Sequence, residues 1–231
     1  MRWSAVWLFA GVAPVLVGQP QAAYMLPDIG APGMAIAVEI IARHDARGTF
    51  GRDTVYTNEP GGRVRVECAR PEDTVRVTIG PLVVSWDGRL ISTHVFVHPW
   101  VQPNSWRWTE LLPEFRIPIR VVVDGQAVVV DTFYIVQPTP IGAYTGSERV
   151  LGEGALGMRS RRGALVIDSL ILPAGQTFRI STADCDPWTP GNQGYLPCVL
   201  IARGPIRGGS GTVLSVSAEG INAGPGGGGG G

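Results

Sequence analysis

The stretch "GGRVRVECA" alternates apolar and charged side chains with a period of two. Val64, Val66 and Cys68 fall on one side of an extended chain, and Arg65 and Glu67 fall on the other. Because successive side chains of a strand point to opposite faces, this pattern predicts a half-buried β-strand. A sheet made of such strands must bury its apolar face against another layer.

Neighbouring segments follow the same rule. The segment "MAIAVEIIA" at residues 34–42 is strongly apolar and predicts a strand. The segment "DTVRVTIG" predicts another strand, with Val75, Val77 and Ile79 pointing inward.

Two Asp-Gly pairs predict hairpins. One is Asp87-Gly88 within "PLVVSWDGRLISTHVFVHP", and the other is Asp124-Gly125 within "FRIPIRVVVDGQAVVVDTFYIVQP". Asp-Gly between alternating apolar segments is a strong signal for a tight turn joining antiparallel strands. The chain also holds 32 Gly and 19 Pro, which disfavour long helices. The predicted fold is therefore all-β, an antiparallel sandwich or barrel of short strands.

The first residues have the pattern of a secretory signal. Arg2 precedes the apolar stretch "AVWLFAGVAPVLVG", and the polar, small-residue segment "QPQAA" follows it. We predict a signal peptide over residues 1–23, cut after Ala22 or Ala23. The apolar stretch is too short to span a bilayer, so we expect no membrane span once the leader is removed.

The charge balance argues against a nucleic-acid partner. Nineteen basic residues face nineteen acidic ones in the whole chain. A chain without net charge has no general attraction to nucleic acid or to an anionic membrane.

Composition divides the rest of the chain. Residues 24–138 hold the alternating strands, and residues 139–163 are rich in Gly, Pro and Arg, as a linker would be. Residues 164–223 form a second β region, in which short apolar segments such as "LVIDSLIL" and "CVLIAR" alternate with Gly-rich turns. Residues 224–231 are a polyglycine tail that we expect to be disordered, or else the start of a longer glycine-rich region.

Residues 27–138 resemble the bacterial IPT/TIG type of immunoglobulin-like domain. The resemblance rests on "WDGRLISTHVFVHP" and on "IPIRVVVDGQAVVVDTFYIVQP", a hairpin followed by an aromatic-rich last strand. It implies an immunoglobulin-like antiparallel β-sandwich that acts as a non-catalytic extracellular module.

Residues 164–231 resemble the start of the glycine-rich, β-solenoid-like regions of large bacterial surface proteins. The resemblance rests on an apolar strand, a "PAGQTF"-like turn, a further strand and then a Gly-Thr pair followed by small and apolar residues, ahead of the Gly tract. It implies a part of a larger surface protein.

The cysteines fit an exported protein. Cys185 and Cys198 bracket "DPWTPGNQGYLP", a loop without a core of its own, and we predict a disulfide between them. The alternative is two unpaired thiols in buried positions. Cys68 lies on the apolar side of its strand, which predicts a buried free thiol.

Few residues suggest a metal site. His94 and His98 share a face, but four residues of strand separate them by about 13 Å, so together with His44 they are expected to be ordinary histidines. Asp184, Asp186 and Asn192 offer oxygen ligands for calcium, although such side chains usually bond their own turns. We predict no bound cofactor and no metal.

The segment "HPWVQPNSWRWTE" is the candidate binding loop. It carries Trp100, Trp106 and Trp108, with Arg107 able to stack on either neighbouring ring. Exposed Trp on a β-scaffold can bind sugar rings or a protein partner. Alternatively, these side chains cover the open end of the core.

Three functions are compatible with these patterns. The first is a non-catalytic structural or adhesion module, secreted or on the cell surface, whose partner is another surface or matrix protein. The second is a carbohydrate-binding module that uses the tryptophan loop to hold polysaccharide. The third is a secreted hydrolase, for which the sequence lacks G-x-S-x-G, P-loop and H-E-x-x-H motifs. We therefore predict that the chain is not an enzyme.

Overall fold

A computed structural model describes residues 23–42, 50, 54–102, 115–158, 160–181 and 198–215. Residues 1–22 of the predicted leader, the polyglycine tail and the segments 103–114 and 182–197 lie outside these residues. The described part is mostly β, which confirms the predicted all-β class.

The first sheet is antiparallel and joins six strands. Its order is β1, β3, β8, β7 and β4, and β6 pairs with the far end of β8. The strands are β1 (Ala23–Leu26), β3 (Ala35–Ala42), β4 (Thr54–Tyr56), β6 (Val77–Ile79), β7 (Leu82–Val84) and β8 (Leu90–Val97). The predicted strand at residues 34–42 is thereby confirmed.

The second sheet joins four strands in the order β2, β10, β9 and β5. These are β2 (Ile29–Gly30), β5 (Val64–Cys68), β9 (Phe115–Val123) and β10 (Gln126–Ile135). All pairs are antiparallel except β2 with β10. In β5, Val64, Val66 and Cys68 are buried, as the alternation predicts.

Both predicted hairpins are present. Asp124 and Gly125 join β9 to β10 with φ values of 50° and 82°. A two-residue turn with both φ values positive suits the right-handed twist of its strands. Gly88, also at positive φ, lies in the turn between β7 and β8.

One core receives the buried faces of both sheets. Its fully buried large side chains include Met25, Ile29, Ile40, Phe50, Leu82, Ile91, Ile117, Ile119, Phe133 and Ile135. The apolar side of each alternating strand therefore points into a common interior.

The prediction for Val75 is wrong. Residues Pro71–Val75 form a 3₁₀ helix, so the strand begins only at Val77, and Val75 is 61% exposed. The buried carboxylate of Asp73 accepts hydrogen bonds from Arg70 and Arg76 at 2.8 and 2.7 Å. These charge-assisted bonds stabilise the turn over an extended strand.

The remaining strands form three parallel sheets. Their orders are β11, β14, β17; β12, β15, β18; and β13, β16. The strands are β11 (Gly142–Ala143), β12 (Val150–Leu151), β13 (Ala164–Ile167), β14 (Leu170–Leu172), β15 (Thr177–Ile180), β16 (Val199–Ala202), β17 (Ile206–Gly208) and β18 (Val213–Ser215). The chain visits the three sheets in the same order each time, so this region winds as a parallel coil.

A second core fills the coil. It contains Tyr144, Leu151, Leu156, Leu165, Ile167, Leu170, Leu172 and Phe178. The segment 139–163, whose composition is that of a linker, holds β11, β12 and a short helix α1 (Glu153–Leu156) and supplies Tyr144, Leu151 and Leu156 to this core. The segment 139–163 has few apolar residues. Those few are buried because they pack against side chains of the following strands of the coil.

Strand β13 belongs to both cores. Ala164 and Val166 face the first core, and Leu165 and Ile167 face the second. All four are at most 1% exposed, which explains the continuous apolar segment "ALVI". Among the described residues, no helix is long and apolar enough to cross a membrane.

Candidate functional site

Of the four residues predicted for the binding loop, the structure describes Trp100. Trp106, Arg107 and Trp108 lie outside the described residues. Trp100 follows β8 and is 66% exposed, whereas the next residue, Val101, is buried in the first core. Trp100 therefore does not cover the core, and its ring faces solvent.

Trp100 is the last of three neighbouring rings, Phe96, His98 and Trp100, which we call the aromatic row. The centroids of Phe96 and His98 lie 5.6 Å apart, and those of His98 and Trp100 lie 4.4 Å apart. Successive planes are tilted by 52° and 47°. Phe96 points outward near the end of β8, and His98 and Trp100 follow the strand, with Trp100 in a turn that the Val101 N–H closes on the carbonyl of His98 at 3.2 Å.

One backbone carbonyl holds two of these rings. The oxygen of Val75 accepts a hydrogen bond from Nδ1 of His98 at 3.0 Å and from Nε1 of Trp100 at 3.0 Å. Nε2 of His98 lies 2.8 Å from the hydroxyl of Thr78. Because a carbonyl only accepts, Nδ1 carries a proton, and the ring orientation is set. The 3₁₀ helix Pro71–Val75 places this carbonyl beside the row.

Small side chains surround the row. In the sheet register, Phe96 lies between Ala35 and Thr78, and His94 lies opposite Ala37. On its other side, His94 lies next to Gly80, whose N–H donates to the carbonyl of His94 at 2.9 Å. The sheet neighbours of Phe96 are therefore small, and its ring projects above them.

Trp86 is a second exposed tryptophan that the sequence reasoning missed. It lies in the turn between β7 and β8 and is 83% exposed. The N–H of Gly88 donates to the carbonyl of Ser85 at 2.9 Å, so Trp86 and Asp87 are the central residues of this turn. Adjacency to the predicted Asp87-Gly88 turn was therefore a usable signal of exposure. Phe96 was also missed, although Ile91, Thr93, Val95 and Val97 occupy the inward positions of β8 and leave Phe96 outward.

No family model, no curated protein and no solved structure matches this chain. The geometry of the described residues therefore carries the functional argument.

A cluster of charges joins the two cores. Arg161 and Arg162 occupy a tight turn before β13, in which Arg162 and Gly163 have φ values of 47° and 79°. The guanidinium of Arg161 lies 2.7 Å from Oδ2 of Asp28 and stacks 3.9 Å from the ring centre of Tyr134. The guanidinium of Arg162 bonds Asp131 and lies 3.3 Å from Asp28.

Asp28 is fully buried at this junction. Burial raises the pKa of Asp28 to about 6. The positive charges of Arg161 and Arg162 lower this pKa, but their effect is smaller than that of burial. Oδ1 of Asp28 has no hydrogen-bond partner among the described residues. These ion pairs thus connect the two regions of the fold, and the charge of Asp28 in them changes with pH.

The remaining predicted sites divide between described and undescribed residues. Cys185, Asp184, Asp186, Asn192 and His44 lie outside the described residues, so the disulfide and the calcium site stay predictions. In the part of the chain that the structure describes, no three His, Cys, Asp or Glu side chains are grouped to hold a metal ion. Cys68 is buried and free, as predicted.

Proposed function

We propose that this chain is a non-catalytic structural or adhesion module of a secreted or cell-surface protein. In this proposal an immunoglobulin-like sandwich over residues 24–138 carries the first coils of a glycine-rich β-solenoid. Its partners are another surface protein or the extracellular matrix.

The observation that carries the proposal is the shared strand β13. Alternate side chains of β13 and of its parallel partner β16 face the two cores, so the coil packs directly on the two-sheet region. A join of this kind passes mechanical load through buried side chains and paired backbone. Stacked coils each contact only their neighbours and present long lateral surfaces, which suits a spacer or adhesive element.

Export is tested by locating the protein in its native host. Antibody labelling of intact cells and mass spectrometry of the mature N-terminus are the measurements. We expect surface or culture-medium protein that begins near Ala23 or Tyr24. A chain retained in the cytoplasm with Met1 intact would contradict the proposal, and a variant lacking residues 2–22 is the control for retention.

The structural role is tested separately by force. A single molecule held by its two ends should unfold the coil and the two-sheet region together or in close succession, because they share β13. Independent unfolding of the coil at low force would argue against a load-bearing join.

A second candidate is a carbohydrate-binding module. The exposure of Trp100 and its hydrogen bond to Val75 favour it, because an exposed ring that is already fixed in position is suited to stacking on a ligand.

A further inference from the structure

We propose that the aromatic row of Phe96, His98 and Trp100 binds the apolar face of an uncharged polysaccharide. This inference rests on the carbohydrate-binding candidate above and assigns it a site and a ligand class. It is independent of the export and load-bearing roles.

The rings are fixed before any ligand arrives. Two ring N–H groups, of His98 and Trp100, converge on the carbonyl of Val75, and Thr78 holds the other nitrogen of His98. A side chain that is already ordered loses little rotational freedom on binding. The row therefore has the preorganisation that a weakly interacting ligand such as a sugar chain requires.

The row presents apolar area to solvent. Trp100 is 66% exposed, Val75 beside it 61%, and Phe96 39%. The C–H-bearing face of a pyranose ring is itself apolar and packs against an aromatic ring, while its hydroxyls stay in water. Three rings in sequence offer such contacts to successive units of one chain.

The size of the row favours a sugar chain over a protein. An aromatic side chain covers about 150–250 Å², so these partly exposed rings and Val75 present roughly 300 Å². A stable protein interface requires about 800 Å² from each partner. A row of three neighbouring rings, with centroids 5.6 and 4.4 Å apart, fits a short stretch of a sugar chain and is too small for a folded domain.

The charge of the surroundings favours a neutral ligand. Among the described residues, the sheet neighbours on this face are Ala35, Ala37, Thr78 and Gly80, with Val75 beside them, and all are uncharged. Arg76 also adjoins the row through a backbone hydrogen bond with His98, but its guanidinium is paired with the buried Asp73 at 2.7 Å. Recognition of an acidic polysaccharide would use Arg or Lys at the contact. His94 and the hydroxyl of Thr78 supply hydrogen-bonding groups at the edge of the row.

The test is retention of the full chain on neutral polysaccharides. Cellulose, xylan, chitin, β-1,3-glucan and starch form the panel, and alginate is the acidic comparison. We expect the chain to bind at least one neutral polymer, and Trp100→Ala to weaken that binding tenfold or more. Trp86→Ala is the matched control, because Trp86 is more exposed but lies in the turn at the opposite end of β8. Its binding should equal that of the parent chain.

A second variant keeps the test valid if loss of the Val75 hydrogen bond unfolds Trp100→Ala. Ala35→Glu places a carboxylate beside Phe96 at an exposed position and leaves the core intact. It too should abolish retention while thermal unfolding stays near the parent value. Retention of no neutral polymer, equal losses in Trp86→Ala and Trp100→Ala, or retention on alginate alone would each overturn the inference. Surface export would be unaffected by any of these results.

Discussion

Asp28 is buried, and one of its carboxyl oxygens has no hydrogen-bond partner among the described residues. The protonation of this carboxyl makes the stability of the folded chain depend on pH. The pKa of Asp28 is about 6 in the folded chain, whereas the ordinary value for an aspartate, which we take for the unfolded chain, is 3.8. Because the folded-state pKa is raised, the contribution of Asp28 to stability is complete below pH 3.8. It is lost as the pH rises through 6.

Asp28→Asn should remove this dependence. From the two pKa values, the parent chain gains about 1 kcal/mol relative to the variant when the pH falls from 7 to 5. Urea unfolding of both chains at the two pH values measures the difference. Asp124→Asn, at an exposed pair with Arg63, is the control and should show a far smaller change. If the free energy of unfolding changed equally with pH in the parent and in Asp28→Asn, the raised pKa of Asp28 would be wrong.

Cys68 is a second residue whose chemistry is set by burial. Burial raises the pKa of the Cys68 thiol to about 11, so its reactive thiolate is scarce at pH 8. We expect no reaction of Cys68 with a thiol reagent in the native chain.

The same reagent tests the predicted disulfide. In denaturant without reductant, one thiol per chain should react if Cys185 and Cys198 are bridged. Three reactive thiols would rule out the disulfide.

At the scale of elements, β13 determines how the two cores are joined. Val166 packs in the first core and Leu165 in the second, although they are adjacent in sequence. An apolar strand with both faces buried couples the stability of the layers on either side.

Leu165→Ala and Val166→Ala should each destabilise the whole described chain. We expect a loss of about 2–5 kcal/mol for Leu165→Ala and about 2 kcal/mol for Val166→Ala, because each leaves a cavity in a packed core. Ile171→Ala is the control, since Ile171 points outward on β14, is 46% exposed and should cost about 0.5 kcal/mol. Denaturant unfolding with fluorescence and circular dichroism gives the values. Two separate transitions, each sensitive to one variant alone, would contradict the coupling.

At the scale of the whole molecule, the segment 139–163 connects regions that share a strand. Its side chains Tyr144, Leu151 and Leu156 are buried in the coil, and Arg161 and Arg162 are paired with Asp28 and Asp131. Cleavage by a protease requires local unfolding of the segment that it cuts, and here that unfolding would expose core side chains.

Limited digestion with an arginine-specific protease tests this arrangement. We expect cleavage after Arg161 and Arg162 only under conditions that unfold the whole chain, because both side chains are held at the junction. Mass spectrometry of the fragments identifies the order of cuts. Early fragments ending at Arg162 in native buffer would show that the segment behaves as a flexible linker.

Strands and turns that depend on neighbouring residues could be predicted from the sequence, whereas contacts between distant segments could not. The alternation in "RVRVEC" and the two Asp-Gly turns predicted β5 and both hairpins, since side-chain period and turn geometry are local properties. Val75 has the same local pattern and was predicted wrongly, because the ion pairs of Asp73 with Arg70 and Arg76 stabilise a 3₁₀ turn instead. In the candidate site, Trp100 was identified by composition, whereas the roles of His98 and Val75 depend on contacts between β8 and the 3₁₀ helix.

The sequence by itself determined the all-β class, the long strands β3, β5, β8, β9 and β10, the two hairpins and the burial of Cys68, but not the short strands β1, β2 and β4. Each of these depends on the period of apolar residues and on backbone preferences within a few positions. The tertiary structure alone decided the parallel coil, the place of β13 in two cores and the pairing of Arg161 and Arg162 with Asp28 and Asp131. These features bring together residues that lie far apart in the chain, and no local pattern specifies which distant strand a given strand will meet.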